Sequence, residues 1–296
     1  MSVVIIAPAA MSAYNPAIGS IPFMSDLSAE SVTAALATQR LGRPTLYFPR
    51  TGSTNDVAHE RAAAGAPHGL LVIADEQTAG RGRLDRRWWA LPGSSLLMSL
   101  LLRPSLPLDQ VGQLTMCLGL AAVEGIEAVT GLRPALKWPN DLLLDGRKLG
   151  GMLAELHLDG ERLDYAVLGL GVNVNINFSA SALTSASTLM PSELTDTAIS
   201  LSTALGHSVD RLPLLAAIVA RCEAWYERVL AGQSLHAAWA ARLDTVGRQV
   251  TVTTAAGALM GSAVGVTPDG ALLVRGDDGT EHTIWSGDVT ALRSTG

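Results

Sequence analysis

Lysine is almost missing from this chain. Of its 296 residues only Lys137 and Lys148 are lysine, and the rest of the Lys+Arg total of 21 is arginine. A codon or solubility bias spreads arginine over a surface, but it does not account for both lysines falling in one short segment. That segment calls for a compact ammonium in place of a planar guanidinium. Cysteine is as scarce: Cys117 and Cys222 both lie in apolar, helix-like surroundings. That excludes a disulfide scaffold and predicts two buried thiols in a reducing compartment. Positive charge is not in excess, the formal net charge being -6, which argues against non-specific binding to nucleic acid or anionic membranes. The six histidines show no pairing at metal-ligand spacing, so no metal site of the protein's own is expected. No apolar run approaches the length of a membrane span. The apolar start has no basic residue before Arg40, so the positive region of a signal peptide is missing and a cytoplasmic protein is expected. Repeats, heptads and low-complexity tracts are absent. With 48% hydrophobic and 16% charged residues, disorder is excluded as well.

What is present centres on Asp75 to Trp89. Arg81, Arg83, Arg86 and Arg87 crowd this stretch, Gly80 and Gly82 alternate with the first two, and Trp88 and Trp89 close it. Glycine lets backbone approach a ligand, and arginine presents a planar fork of donors to carboxylate or phosphate. The stretch follows the apolar run Leu70 to Ala74, so it leaves the end of a strand, where open α/β sheets place ligands. A solvated basic turn would not need the tryptophans, and a nucleic-acid patch would need a wider basic surface. A pocket for one small anion fits best.

Around it the chain reads as follows. Residues 1–26, with three prolines among small residues, form a poorly ordered extension. A short helix spans 27–38 and a strand Thr45 to Phe48. Ser53 or Thr54 caps a helix running to about Ala64, with Asp56 in its first turn. A buried strand covers 94–102, and an apolar helix covers 108–130, ending near Gly131. The lysine segment, 135–155, turns at Asp145-Gly146 and the next hairpin turns at Asp159-Gly160. Strand 165–175 follows, with Gly171 and Asn173 marking close backbone approach and a polar contact. Two successive hairpins imply a mixed or antiparallel sheet. Residues 179–190 read as a surface connection, and helices are expected over 191–205, 211–230 and 235–243. After Gly247, five short strands predict a small β-barrel. The expected plan is an α+β fold: an extension (1–26), a catalytic unit with a mixed sheet and flanking helices (27–245), and a C-terminal barrel (246–296).

With these stretches in view, the chain resembles bacterial biotin–protein ligases. The resemblance rests on Ser53-Thr-Asn55, Gln77 to Arg83 through Trp88, Lys137-Trp-Pro-Asn-Asp141 with Arg147 to Gly151, and Gly169 to Asn173. The ending Gly287 to Ser294 looks like the family's final strand. Four motifs in order are far more specific than one glycine-rich loop. The resemblance implies a biotin/lipoate ligase-like catalytic domain with an SH3-like barrel. It also implies a two-step reaction: biotin attacks the α-phosphate of Mg-ATP to give biotinyl-adenylate, and a lysine of a biotin carboxyl carrier domain then takes the biotin. By resemblance, Ser53, Thr54, Asn55 and Gln77 hold the ureido ring, and Arg81, Gly82 and Arg83 wrap the adenylate and reach biotin. Gly80, Arg86 and Trp88 complete the nucleotide side, with Trp88 closing over the site. Lys148 contacts both the biotin carboxylate and the α-phosphate. Asn173 meets adenine, and Arg293 reaches the nucleotide or the carrier. Lys137 serves phosphate or metal, and Asp141 the carrier lysine. Magnesium arrives with ATP.

One position departs from the pattern: Asp85 stands where the loop usually has glycine, and it is expected to pair with Arg86 or Arg87. No pair of amphipathic helices around a tight turn precedes the first motif, so a DNA-binding repressor role is not expected. A sheet-edge homodimer is possible by family analogy. Two rivals stay open: a lipoate or octanoate ligase of the same fold, and a module that binds biotin without transferring it.

Overall fold

The computed structural model describes residues 4–5, 25–84, 86–178, 194–255 and 257–291. In chain order the elements are β1 (Val4–Ile5), α1 (Ala29–Ala35), β2 (Thr45–Phe48), α2 (Thr54–Ala63), β3 (Leu71–Ala74), β4 (Ser95–Leu102) and α3 (Gly112–Thr130). They continue with β5 (Ala135–Lys137), β6 (Asp141–Leu144), β7 (Arg147–Asp159), β8 (Arg162–Asn173), α4 (Leu194–Thr197), α5 (Leu201–Leu205), α6 (Arg211–Leu230) and α7 (His236–Ala240). Last come β9 (Gln249–Thr254), β10 (Gly257–Val266), β11 (Leu272–Arg275), β12 (Glu281–Ile284) and β13 (Asp288–Ala291).

The first sheet runs β2-β3-β4-β8-β7-β6-β5, with β1 alongside β7. It is mixed as expected: β2 and β3 are parallel, while β3-β4, β4-β8, β7-β8 and β6-β7 are antiparallel. Alternation along a strand sends successive side chains to opposite faces, and both faces are used. Leu71 and Ile73 join the large core with α3 and α6, whereas Leu70, Val72, Leu101 and Val167 pack with Ala58 and Ala62 of α2. The turns fall where Asp-Gly pairs predict them. Asp145 (φ 51) and Gly146 (φ 72) take the left-handed conformation that a two-residue hairpin requires, and α3 ends on Gly131 at φ 72.

Several expectations need correction. The apolar stretch Leu108–Thr130 is long and apolar enough to cross a membrane by length and composition, contrary to the sequence reading. It is instead the core helix of the fold, 72% buried. The single helix expected over 191–205 is two short ones, α4 and α5, with Ser200 capping the second. Ser25 and Asp26 belong to the expected extension, yet both contact Arg211 of α6. The rest of that extension apart from β1 lies outside the described residues, as do 179–190, Asp85 and Arg293. Cys117 and Cys222 are buried free thiols facing each other, with sulfurs 3.8 Å apart.

The second sheet runs β12-β11-β10-β9-β13, antiparallel throughout, and supplies the five strands expected of the small C-terminal domain. Trp138 joins the two sheets. It is 1% exposed, and its indole N–H donates to the Gly270 carbonyl at 2.9 Å.

Candidate active site

The site opens on the α2 face of the first sheet, where α2 begins and the sheet floor loses its side chains. Gly151 of β7 is paired with Gly171 of β8, and Gly169 and Gly171 occupy the same face as Val167. A Cβ at Gly171 would lie 2.7 Å from a ring carbon of Trp88, and one at Gly169 would lie 2.3 Å from Asn55 Oδ1. The floor is therefore backbone, with the Trp88 indole laid across it. Over it is a cavity of about 870 Å³ lined by all four expected stretches, within the usual range for small-molecule sites.

The arginine segment is a short hairpin. Arg81 bridges Arg87 in antiparallel fashion, the Gly82 N–H donates to the Arg86 carbonyl at 2.7 Å, and the Trp88 N–H donates to Gly80 at 2.9 Å. Leu84 sits at the tip, 63% exposed. The root is held by Asp75, whose carboxylate accepts from the buried Arg211 at 2.8 Å and from the Tyr47 hydroxyl at 2.5 Å. Burial and the neighbouring Asp75 charge push the Tyr47 hydroxyl above its ordinary value, so it remains a donor.

At the start of α2, Ser53 is the N-cap but makes no side-chain cap bond. Gln77 caps instead: its Oε1 accepts from the Thr54 N–H at 2.7 Å and from the Thr54 hydroxyl at 3.0 Å. The Ser53 hydroxyl is left to the cavity, which both Ser53 and Gln77 line. Asn55 is more committed. Its Nδ2 donates to Glu155 at 2.7 Å and to the Leu153 carbonyl at 3.3 Å, and its Oδ1 lies 2.6 Å from the Ser99 hydroxyl. An amide has two donor hydrogens, so Asn55 keeps no donor for a ligand.

Lys148 reaches the site through a β-bulge. Gly151, Leu153 and Glu155 alternate onto the cavity face, so strict alternation turns residue 148 away. The register of β6 against β7 slips between Leu142 and Leu143, and Lys148 pairs with Leu143. That slip returns the lysine to the face carrying Asp141. Its ammonium lies 2.7 Å from Asp141 Oδ1, and its carbonyl accepts from the Ile199 N–H at 3.0 Å. Lys137, half-buried at the end of β5, also lines the cavity.

The arginines divide. Arg81 grips Glu155 with both ends, at 2.8 and 2.9 Å, and Asp56 at 2.7 Å. Arg83 donates to Asn140 Oδ1 and to the Gly287 carbonyl, both at 3.2 Å. Burial draws its guanidinium below the ordinary arginine value, against the pull of Asp288 and Asp141, and it stays charged. Arg86 pairs with Asp288 of β13, and Arg87 donates to the Thr78 carbonyl. Three buried donors lining the cavity have no acceptor among the described residues: Arg81 Nε, Arg83 Nε and Trp88 Nε1. Unsatisfied buried donors are costly, and a ligand with acceptor oxygens or ring nitrogens satisfies them.

Residues 47–173 match the model of the biotin/lipoate A/B protein ligase family, and residues 245–290 match that of the biotin protein ligase C-terminal domain. The chain belongs to the biotin protein ligase family. It is 36% identical over 265 residues to the bifunctional ligase/repressor BirA of Bacillus spizizenii, covering 89% of this chain and 78% of that one. It is 32% identical to the biotin–[acetyl-CoA-carboxylase] ligase of Paracoccus denitrificans, covering 78% and 94%. The structure of the Aquifex aeolicus biotin protein ligase in complex with biotin and ATP superposes with a TM-score of 0.70 at 27% identity, covering 84% and 99%.

Within this biotin protein ligase fold, the expected residues that converge on the cavity are Ser53, Thr54, Asn55, Gln77, Gly80, Arg81, Gly82, Arg83, Arg86, Trp88, Lys137, Asp141, Lys148 and Asn173. Asn173 spends its Nδ2 on the carbonyls of Lys148 and Ile199. Glu155, Ser99, Asn140, Arg211 and Asp288 were not anticipated as site residues. Glu155 left a signal, a lone charge inside an apolar strand. Arg211 left none, since it opens an ordinary amphipathic helix.

Proposed function

We propose that this chain activates biotin with ATP as biotinyl-5′-AMP and transfers it to one lysine of a biotin carboxyl carrier domain in a biotin-dependent carboxylase. The observation that carries the reading is the set of cations and unfilled donors (Lys137, Lys148, Arg83 and the Trp88 indole) gathered over a glycine floor beside a polar helix start. The Ser53 hydroxyl and the Gln77 amide suit the urea end of biotin, and the floor of Gly169 and Gly171 suits its flat body. The carboxylate then points toward Lys148. In the first step a biotin carboxylate oxygen bonds to the α-phosphorus while the bond to the β-phosphate oxygen breaks, and pyrophosphate leaves. Both partners are anionic, so Lys148 and Arg83 offset their repulsion and the charge that develops. In the second step the carrier amine bonds to the carbonyl carbon, the bond to phosphate breaks, and AMP leaves. Asp141 is the carboxylate placed to take the amine's proton. Magnesium comes with ATP, with Asp141 the nearest carboxylate to the cation pair.

The lipoate rival shares the catalytic fold, and the match to the biotin protein ligase C-terminal domain favours biotin. We infer a cytoplasmic location from the reduced, buried thiol pair. A homodimer through the outer half of β7 would have to share that edge with β1.

The test is biotin-dependent exchange of labelled pyrophosphate into ATP, which needs no carrier, with lipoate as the parallel acid. Exchange with biotin alone is expected. Exchange with lipoate alone moves the chain to the rival reaction, and none from folded protein leaves a binding module. Lys148→Ala is expected to lower exchange by roughly a hundredfold or more, as removal of one charge-stabilising donor does, with the fold retained. Wild-type turnover in that variant would remove the assignment of Lys148.

A further inference from the structure

The structure assigns Glu155 as a positioning residue: it straps the near limb of the arginine hairpin to the sheet and locks the Asn55 amide, and it touches neither substrate nor cavity. Glu155 sits on the cavity face of β7, one alternation beyond the lining residue Leu153, and is 0% exposed. Its carboxylate takes the Arg81 guanidinium at both ends, 2.8 and 2.9 Å, the Asn55 amide at 2.7 Å and His59 Nε2 at 3.2 Å. A buried carboxylate needs its charge compensated. Here the Arg81 ion pair supplies that for both oxygens, while the hydrogen bonds from Asn55, His59 and Arg81 all go to Oε2 and Oε1 has none. Burial drives its carboxyl up, yet the bonds from His59 and Asn55 and the Arg81 charge outweigh burial and leave it below the ordinary glutamate value.

This changes what Arg81 does. Its charge is shared between Glu155 and Asp56, so although its Nε stays without an acceptor, its main part is structural, and more of the phosphate charge falls to Arg83, Lys137 and Lys148. Arg81 is the strap. It fixes the backbone of Gly80 to Gly82 beside the helix start, while the Arg83 and Arg86 side chains of the outer limb reach Asn140, Gly287 and Asp288. The biotin end of the cavity is thereby tied to the sheet.

Only the kinetic arm of the test rests on the ligase reading. The other arm is trypsin cleavage after Arg83, Arg86 and Arg87 in the ligand-free protein. Glu155→Gln keeps the shape and removes the charge. It is expected to speed cleavage within the hairpin several-fold without speeding it elsewhere, and to raise KM for biotin in pyrophosphate exchange roughly tenfold with a smaller change in kcat. Arg81→Met cuts the strap from the other side, keeps Glu155 intact, and is expected to give the same cleavage pattern. It decides alone if Glu155→Gln does not fold. The double variant should be no worse than the worse single one. Unchanged hairpin cleavage, unchanged KM, or two effects that multiply in the double variant would each overturn the assignment. A wild type without biotin-dependent exchange overturns the ligase reading and leaves the cleavage result to judge the strap.

Discussion

A methyl group added at Gly171 would stand inside van der Waals distance of the Trp88 ring, 2.7 Å away. Gly171 has ordinary strand backbone, so alanine fits the chain and only the floor is lost. Gly171→Ala is therefore expected to lower biotin-dependent exchange by roughly tenfold or more, the effect of misplacing a reacting group by about 1 Å, while the melting midpoint holds. Wild-type exchange would mean the indole does not need that floor in turnover. At this scale the sequence revealed residue types better than their partners. Glycines at 169 and 171 signalled close approach, but nothing in the sequence said that Trp88 and Asn55 would be the things approached. Lys148 was legible as a rare ammonium. Its direction was not, because the period of two points it away from Asp141 and the bulge that reverses this has no composition mark. Arg81 was legible as a cation but not as one already neutralised, since its partner lies in a strand far along the chain.

Between elements, the loop preceding β2 is held by one side chain from α6. The Glu223 carboxylate accepts three backbone N–H groups, from Gln39 at 2.7 Å, Arg40 at 3.0 Å and Leu41 at 2.8 Å. Burial raises its carboxyl, the three N–H bonds and Arg40 lower it, and the net position is below the ordinary value of 4.5. A carboxyl with a depressed folded pKa stabilises the native state above its unfolded pKa, and that stability is lost as pH falls through the folded one. Glu223→Gln is expected to cost about 1–3 kcal/mol at pH 7, with the gap to wild type closing as pH falls below about 4.5. Urea midpoints at neutral and acidic pH check this, and a gap that stays constant with pH would show that the charge is not what holds the loop. Elements themselves were largely readable: strands from alternation, hairpins from Asp-Gly pairs, α3 from its apolar pattern and closing glycine. The segment 191–205 was not, because Ala198 and Ile199 leave the helix to pair with Lys148 and Ser200 then caps a second helix.

Across the whole molecule, the question is whether two sheets make one cooperative unit. The core is continuous: Val250, Val252, Leu272 and Val289 of the second sheet belong to the same buried cluster as α3 and α6. The backbone is stitched as well, with the Leu136 N–H donating to Arg242 and the Asp244 N–H donating to Leu136, both at 2.8 Å. Trp138 adds a backbone donor to the Thr245 hydroxyl at 2.9 Å and its indole bond to Gly270. The cavity needs this union, because Asp288 of the second sheet lines it and Gly287 holds Arg83. The exposed Arg86–Asp288 pair contributes little to it, about 0–1 kcal/mol; the buried indole bond contributes more. Trp138→Phe leaves the Gly270 carbonyl without its donor, and such a loss costs about 1–3 kcal/mol. In a chain of this size that lowers the melting midpoint by roughly 2–5 °C, while the unfolding trace stays a single transition. A second, earlier transition appearing in the variant would mean that the C-terminal sheet unfolds on its own, and that one indole was what bound it to the site it completes.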